Sequence, residues 1–265
     1  MHEEKDIKRV FASFGGKCPF NCLHCYTFSK DFKMISFNDI DAIVKSIKHD
    51  DFNIVYVSGF IENFIIPQKG IDLLLEIYRN YRCDILFTTR NVFDDESIAR
   101  LSLLNKEMNQ EGHKLYGCVS ISAYESYKRL ETAPLIPSPQ KRIGFIKQLF
   151  NENIITFLTL RPVFPSYFIP TEEYIRLIKE CEKQYHAIIS SGIVVNKTIL
   201  ERLKKFDYSY NKQNEVSIMK CLNQDQVKVN YVNVNKELKM ISDYCTNNSI
   251  KLFSGSIEAI CNYDK

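Results

Sequence analysis

The sequence predicts an α/β protein, a partial (β/α)6 TIM-like barrel with a small α+β extension at its carboxyl end. Three observations predict it. From residue 36 onward, short apolar runs alternate with stretches of helical periodicity, as successive βα units around a parallel sheet require. Capping residues or prolines stand where the helical stretches begin. The 265 residues suffice for one large α/β domain with an appendage and a substantial core.

Taken in order, the first strand is Val10-Phe11-Ala12-Ser13-Phe14, which runs into Gly15-Gly16. Ser36 and Asp39 give an N-terminal capping signal, and Ile40, Ile43, Val44 and Ile47 then repeat on one helical face. Asn53 to Val57 reads as the second strand, and Pro67 opens a helix carrying Ile71, Leu74, Leu75 and Tyr78. Cys83 to Thr89 is the third strand, with Asp94 and Asp95 opening a helix through Ile98, Leu101 and Leu104. Lys114 to Ser122 supplies the fourth. Ser138-Pro139 is a cap with proline at the first helical position, leading into Ile143, Ile146, Leu149 and Phe150. Ile154 to Leu160 is the fifth strand, Thr171 caps a helix with Ile175 and Ile178, and Ala187 to Val195 completes the sixth. These units place a barrel domain over residues 8–196 and an extension over 197–265. The extension reads as a helix from Lys197 to Phe206 and a polar linker from Asp207 to Asn214. Strands Val216 to Leu222 and Val227 to Val234, a helix Leu238 to Cys245 and a strand Ile250 to Phe253 follow. Whether this tail extends the sheet or caps it is open from the pattern.

Composition narrows the function classes. The 35 basic residues are interleaved with 32 acidic ones for a net charge of +3, which gives no nucleic-acid footprint. No apolar run approaches a membrane span, and the charged start Met1-His2-Glu3-Glu4-Lys5-Asp6 lacks a signal-peptide core, so a cytoplasmic protein is expected. Nine cysteines, an odd number and mostly isolated, argue against a disulfide framework and for a reducing compartment. Glycine is scarce at 9 residues, so a glycine-rich phosphate cradle is not the main device.

The exception among the cysteines is Lys17-Cys18-Pro19-Phe20-Asn21-Cys22-Leu23-His24-Cys25-Tyr26, with spacing Cys-x3-Cys-x2-Cys. Structural zinc takes four closed ligands and the usual iron-sulfur cluster four cysteines, so a group of three leaves one metal position open. Spacing alone also fits zinc-bound or simply buried cysteines. The context, a strand, two glycines and an aromatic close, resembles the radical S-adenosylmethionine (radical SAM) superfamily, whose signature is this spacing in the loop after the first barrel strand.

The resemblance implies that Cys18, Cys22 and Cys25 hold a [4Fe-4S] cluster whose open iron is chelated by S-adenosylmethionine. It also implies reductive cleavage to a 5′-deoxyadenosyl radical that abstracts hydrogen from a substrate, with an external one-electron donor such as flavodoxin or ferredoxin. His24 and Tyr26 are expected beside the adenine as packing residues. In the family, the loop after the second strand carries a Gly-Gly-Glu-Pro type motif for the methionine amino group. Here it reads Val57-Ser58-Gly59-Phe60-Ile61-Glu62, so Ser58 and Gly59 are the candidates, with the glutamate and proline out of register. Polar residues at strand ends face the site in a parallel barrel: Thr89, Arg90 and Asn91, then Ser120 and Ser122, then Arg161. Arg161 is the best candidate for a carboxylate, because a guanidinium can bind one through two hydrogen bonds. Cys83, Cys118, Cys181, Cys221, Cys245 and Cys261 read as small core residues rather than auxiliary-cluster ligands. The alternative is a non-catalytic iron-sulfur protein that senses redox state or binds a partner, favoured by the altered loop after strand two. No residue identifies the substrate.

Overall fold

The structure, a computed structural model, describes residues 7–25, 39–47, 52–206, 215–222 and 225–265. Strands β1 (Arg9–Ala12), β2 (Ile54–Val57), β3 (Asp84–Thr89), β4 (Leu115–Ser120), β5 (Ile155–Val163) and β6 (Ala187–Gly192) pair in sequence order, all parallel. A short strand near the carboxyl end, β10 (Leu252–Phe253), adds to β6 as a seventh parallel member, leaving β1 and β10 at the edges of a partial barrel.

Helices α1 (Ile40–Ser46), α2 (Pro67–Tyr81), α3 (Asp95–Gln110), α4 (Pro139–Asn151) and α5 (Thr171–Glu180) alternate with these strands. Three start where a side chain caps the first turn. Asp39 accepts from the Ala42 amide at 3.0 Å, Asp94 from Ser97 at 2.8 Å and Ser138 from Lys141 at 3.4 Å, each satisfying one otherwise orphaned amide. Ser36 lies outside the described residues. Thr171 is not a cap: Pro170 holds that position, and Thr171 is the first helical residue, buried at the start of α5.

Alternation along the strands sorts side chains onto two faces. Val55, Ile85, Phe87, Leu158 and Ile188 pack outward with Leu74, Leu101, Ile146 and Leu177 of the surrounding helices. Their neighbours Ile54, Leu86, Tyr116, Cys118, Phe157 and Ile189 point to the inner face, where Ala259 and Ile260 of a last helix, α8 (Ser256–Asn262), pack on them. This seven-residue helix carries too little periodicity to be read from sequence. It fills one end of the barrel interior and leaves the other end to polar groups.

The carboxyl-terminal segment both extends the sheet and builds a second one. β6 ends at Gly192, where a Cβ would lie 2.6 Å from Val234 Cγ2, so only glycine fits this crossing without a shift. The expected sixth strand therefore stops early. Val194–Val195 (β7) belongs to an antiparallel sheet with β9 (Asp225–Val232) and β8 (Glu215–Leu222). Between them α6 (Lys197–Leu203) buries Ile199 and Leu203 and continues as a short 3-10 turn, while α7 (Asn235–Asn247) packs against α5. Among the described residues no helix is long and apolar enough to cross a membrane.

Candidate active site

A cavity of about 320 Å3 opens at the carboxyl ends of the strands, the rim where parallel barrels carry their chemistry. Cys18, Cys22, His24 and Cys25 line it from the loop after β1, Ser58, Gly59 and Glu62 from the loop after β2, and Thr89 and Arg90 from the end of β3. Ser120, Thr159, Arg161 and Ser191 complete the wall from the later strands.

The cysteine loop is held by its own turns. The Asn21 amide donates to the Cys18 carbonyl at 3.3 Å and Cys25 to Cys22 at 3.0 Å, while the Leu23 amide donates to the Leu130 carbonyl at 2.8 Å. Asn21 sits at φ +46°, a left-handed position that asparagine tolerates better than most residues. Cys22 is buried, and Cys18 and Cys25 are partly open to the cavity. Burial pushes the Cys22 thiol up to about 12, against the pull of the nearby Arg90 guanidinium. Cys18 is raised by burial too, with the Glu62 and Phe20 backbone amides opposing it.

Behind the cysteines runs a chain of charges. Arg90 donates to Glu131 through Nε at 3.2 Å, lies 3.3 Å from His24 Nε2 through Nη2, and offers its backbone amide to Glu62 at 2.8 Å. Glu62 also accepts from the Thr89 hydroxyl at 2.9 Å and the Phe64 amide at 3.0 Å, tying the β2 loop to β3. Glu131 takes Ser122 at 2.7 Å and both terminal nitrogens of Arg142, a guanidinium that also donates to the Ser120 carbonyl at 2.7 Å. Burial opposes a charge on Glu131, but Arg142 and Arg90 outweigh it and hold the carboxyl down to about 2. His24 is lowered as well, but toward its neutral form: burial first, then the adjacent Arg90, bring it to about 3, so the ring is neutral.

Cys18, Cys22, Cys25, His24, Ser58, Gly59, Ser120 and Arg161 line one cavity, and Tyr26 lies outside the described residues. Ser122 departs from expectation. It shares strand parity with Ser120, but β4 ends at Ser120, and Ser122 is fully buried against Glu131 and off the cavity wall. The left-handed position in this loop is Ser58, at φ +68°, its hydroxyl donating to Ile61 O at 2.6 Å and accepting from the Asn63 amide at 2.9 Å. A Cβ at Gly59 would lie 3.0 Å from the Phe11 ring, so that part-exposed ring would have to give to admit one. Arg161 reaches across to donate to the Ser254 carbonyl. Glu131 and Arg142 were invisible as site residues, their roles being fixed by partners distant in sequence. Of the isolated cysteines, Cys83, Cys118, Cys181 and Cys245 are buried in the apolar clusters.

No family model matches the chain, and no curated protein does. Solved structures do match. A spore photoproduct lyase mutant with bound AdoMet and dinucleoside spore photoproduct superposes with a TM-score of 0.63 at 12% identity, over 92% of this chain and 75% of that one. TsrM from Kitasatospora setae, a radical S-adenosylmethionine methyltransferase solved with tryptophan substrate and a SAM analog, gives 0.57 at 12%, over 94% of this chain and 55% of that one. This chain has the radical SAM fold. A third radical SAM structure, Streptococcus suis SuiB bound to S-adenosylmethionine, gives 0.52 at 12%, over 93% of this chain and 46% of that one.

The residues present fit the cluster of the radical SAM fold. Among the described residues no three His, Cys, Asp or Glu side chains are gathered about a single-ion site. A four-iron cluster asks for something else, one thiolate on each of three different irons. Three cysteines facing one cavity, two of them partly open to it, supply that donor set.

Proposed function

We propose that the protein is a radical SAM enzyme acting on a substrate yet to be identified. The single observation that carries this reading is that three cysteines on the loop after β1 share one cavity with polar groups from the carboxyl ends of β2 to β6. In this reading Cys18, Cys22 and Cys25 hold a [4Fe-4S] cluster. When bound and reduced, the cluster supplies the electron that cleaves S-adenosylmethionine to methionine and a 5′-deoxyadenosyl radical.

The chain's own residues bind and orient. Ser58 and Gly59 present backbone at the β2 rim, next to a loop that Glu62 fixes by accepting three hydrogen bonds. That inward glutamate, though out of the family's register, favours the enzyme reading over a non-catalytic iron-sulfur protein, because it pins the altered loop in place. Arg161 offers a guanidinium for the methionine carboxylate, and Ser120 a hydroxyl for the ribose. His24, neutral and buried, packs beside the cluster loop rather than acting as an acid or ligand. Phe60, Ile193 and Val194 add apolar wall to the cavity.

Anaerobic reconstitution with iron and sulfide tests the cluster. About four irons per chain and a brown colour are expected, and Cys18→Ala, Cys22→Ala and Cys25→Ala should each abolish both. Tight zinc binding in place of iron would overturn the reading.

A further inference from the structure

Strand β1 turns two side chains to the barrel interior that the cofactor reading leaves unused. Val10 and Ala12 pack outward with the main core and Ile7 joins the inner cluster, so alternation puts Arg9 and Phe11 on the inner face, at the edge of the sheet. Phe11 is 37% exposed. A lone exposed ring needs no explanation, but this one belongs to a continuous aromatic surface. It stacks on Tyr56, its partner in the register of β1 with β2, with ring centroids 5.4 Å apart, and leans on Phe60 at 4.8 Å. Tyr56 and Phe60 both line the cavity that Cys18, Cys22 and Cys25 share. An aromatic shelf therefore runs from that cavity to the edge strand of the barrel.

A cation stands on the shelf. Arg9 places its guanidinium carbon 5.0 Å from the centre of the Phe11 ring and 6.0 Å from that of Tyr56, within reach of the negative π face of each. Stacking of this kind holds a guanidinium without using its N–H donors, whose forked arrangement matches a carboxylate or phosphate. Among the described residues no carboxylate pairs with Arg9, which is itself exposed. A molecule that carries both a planar ring and an anionic group meets both features, because the ring extends the aromatic surface and the anion reaches the guanidinium. A neutral aliphatic molecule would use neither.

The geometry points to a substrate subsite on this shelf: Phe11, Tyr56 and Phe60 take a planar aromatic ring, and Arg9 takes an anionic oxygen group of the same molecule. The inference rests on the reading that the adjoining cavity is a radical SAM active site, and it names the chemical class of substrate for it.

Equilibrium dialysis of the full chain, kept free of oxygen and measured before and after reconstitution with iron and sulfide, reads the subsite directly. The probes are naphthoate and naphthyl phosphate, with naphthamide as the uncharged ring and decalin carboxylate as the anion without a planar ring. Naphthoate should bind more tightly than decalin carboxylate by about 2–12-fold, the range of an aromatic pairing, and the tighter of naphthoate and naphthyl phosphate names the anion. Arg9→Gln should weaken naphthoate about 5-fold, the upper end for an exposed ion pair, and leave naphthamide within about 2-fold. Phe11→Leu should weaken both naphthoate and naphthamide by about 2–12-fold; should it fail to fold, Phe60→Leu replaces it with the same expectation. Decalin carboxylate bound as tightly as naphthoate overturns the shelf, and equal losses of naphthoate and naphthamide in Arg9→Gln overturn the anion site. Displacement of naphthoate by saturating S-adenosylmethionine assigns the shelf to the cofactor and overturns the subsite. Binding is read without turnover, so the two readings fail separately: a chain that assembles no cluster yet binds naphthoate removes the enzyme reading, and one that assembles the cluster yet binds no probe removes this inference.

Discussion

Replacing Arg142 with methionine should destabilise the protein more than almost any other single polar change. Both Arg142 and Glu131 have side chains with 0% exposure, and Arg142 gives Glu131 two of its four hydrogen bonds as well as satisfying the Ser120 carbonyl. Arg90 then remains to Glu131 as a cation bonded at 3.2 Å, and removing one partner of a buried pair costs about 3–5 kcal/mol. For a chain of this size that lowers Tm by about 6–20 °C, at about 2–4 °C per kcal/mol. The pH dependence has a definite sign. Glu131 is held at about 2 in the folded protein against an ordinary 4.5, so the pair stabilises the fold above pH 4.5 and the contribution fades as pH falls toward 2. In Arg142→Met the buried carboxyl can protonate, so the Tm gap between wild type and variant should be widest near pH 7 and narrow below about pH 4.5. Adding Glu131→Leu should recover only part of the loss, since it removes the buried carboxylate but also takes from Arg90 its ion-pair partner. Thermal unfolding by circular dichroism of protein kept free of oxygen reads all three. A gap under about 2 °C at pH 7, or one that stays constant down to pH 4, would refute the argument.

Two glycines on helices should respond with opposite signs. In Gly70→Ala the new Cβ would lie 2.2 Å from the ring of fully buried Phe64, so overpacking of about 1–3 kcal/mol or more should outweigh the gain of about 1 kcal/mol in helix propensity. Gly144 has nothing within 4 Å of such a Cβ, and Gly144→Ala should raise Tm by about 2–4 °C. Arg161→Ala should weaken S-adenosylmethionine binding by about 5–150-fold, from a carboxylate pairing of about 1–3 kcal/mol, while iron content stays at the wild-type level. Equilibrium binding to reconstituted protein checks this, and unchanged affinity would remove Arg161 from cofactor binding.

Local interactions made much of the fold legible in the sequence. The caps at Asp39, Asp94 and Ser138 bind amides three residues on, and the strands show themselves as apolar runs between turn signals. The cysteine spacing is likewise local. What the sequence hid is long-range: Glu131 reads as an exposed loop residue until Arg142, eleven positions on, and Arg90, forty-one positions back, are folded onto it. Ser122 was misplaced because period-two parity holds only while a strand continues, and β4 stops at Ser120. A contact from Arg202 to Asn21 spans 181 residues and leaves no mark in either local pattern.

Formation of 5′-deoxyadenosine tests the central claim most directly. Reconstituted protein, given S-adenosylmethionine and a strong reductant without oxygen, should slowly release methionine and 5′-deoxyadenosine in equal amounts even without its substrate. S-Adenosylmethionine should also change the electron paramagnetic resonance spectrum of the reduced cluster, and Cys22→Ala should lose both signals. A reduced cluster whose spectrum ignores S-adenosylmethionine, with no 5′-deoxyadenosine formed, would contradict the enzyme assignment and leave an iron-sulfur protein of a non-catalytic kind.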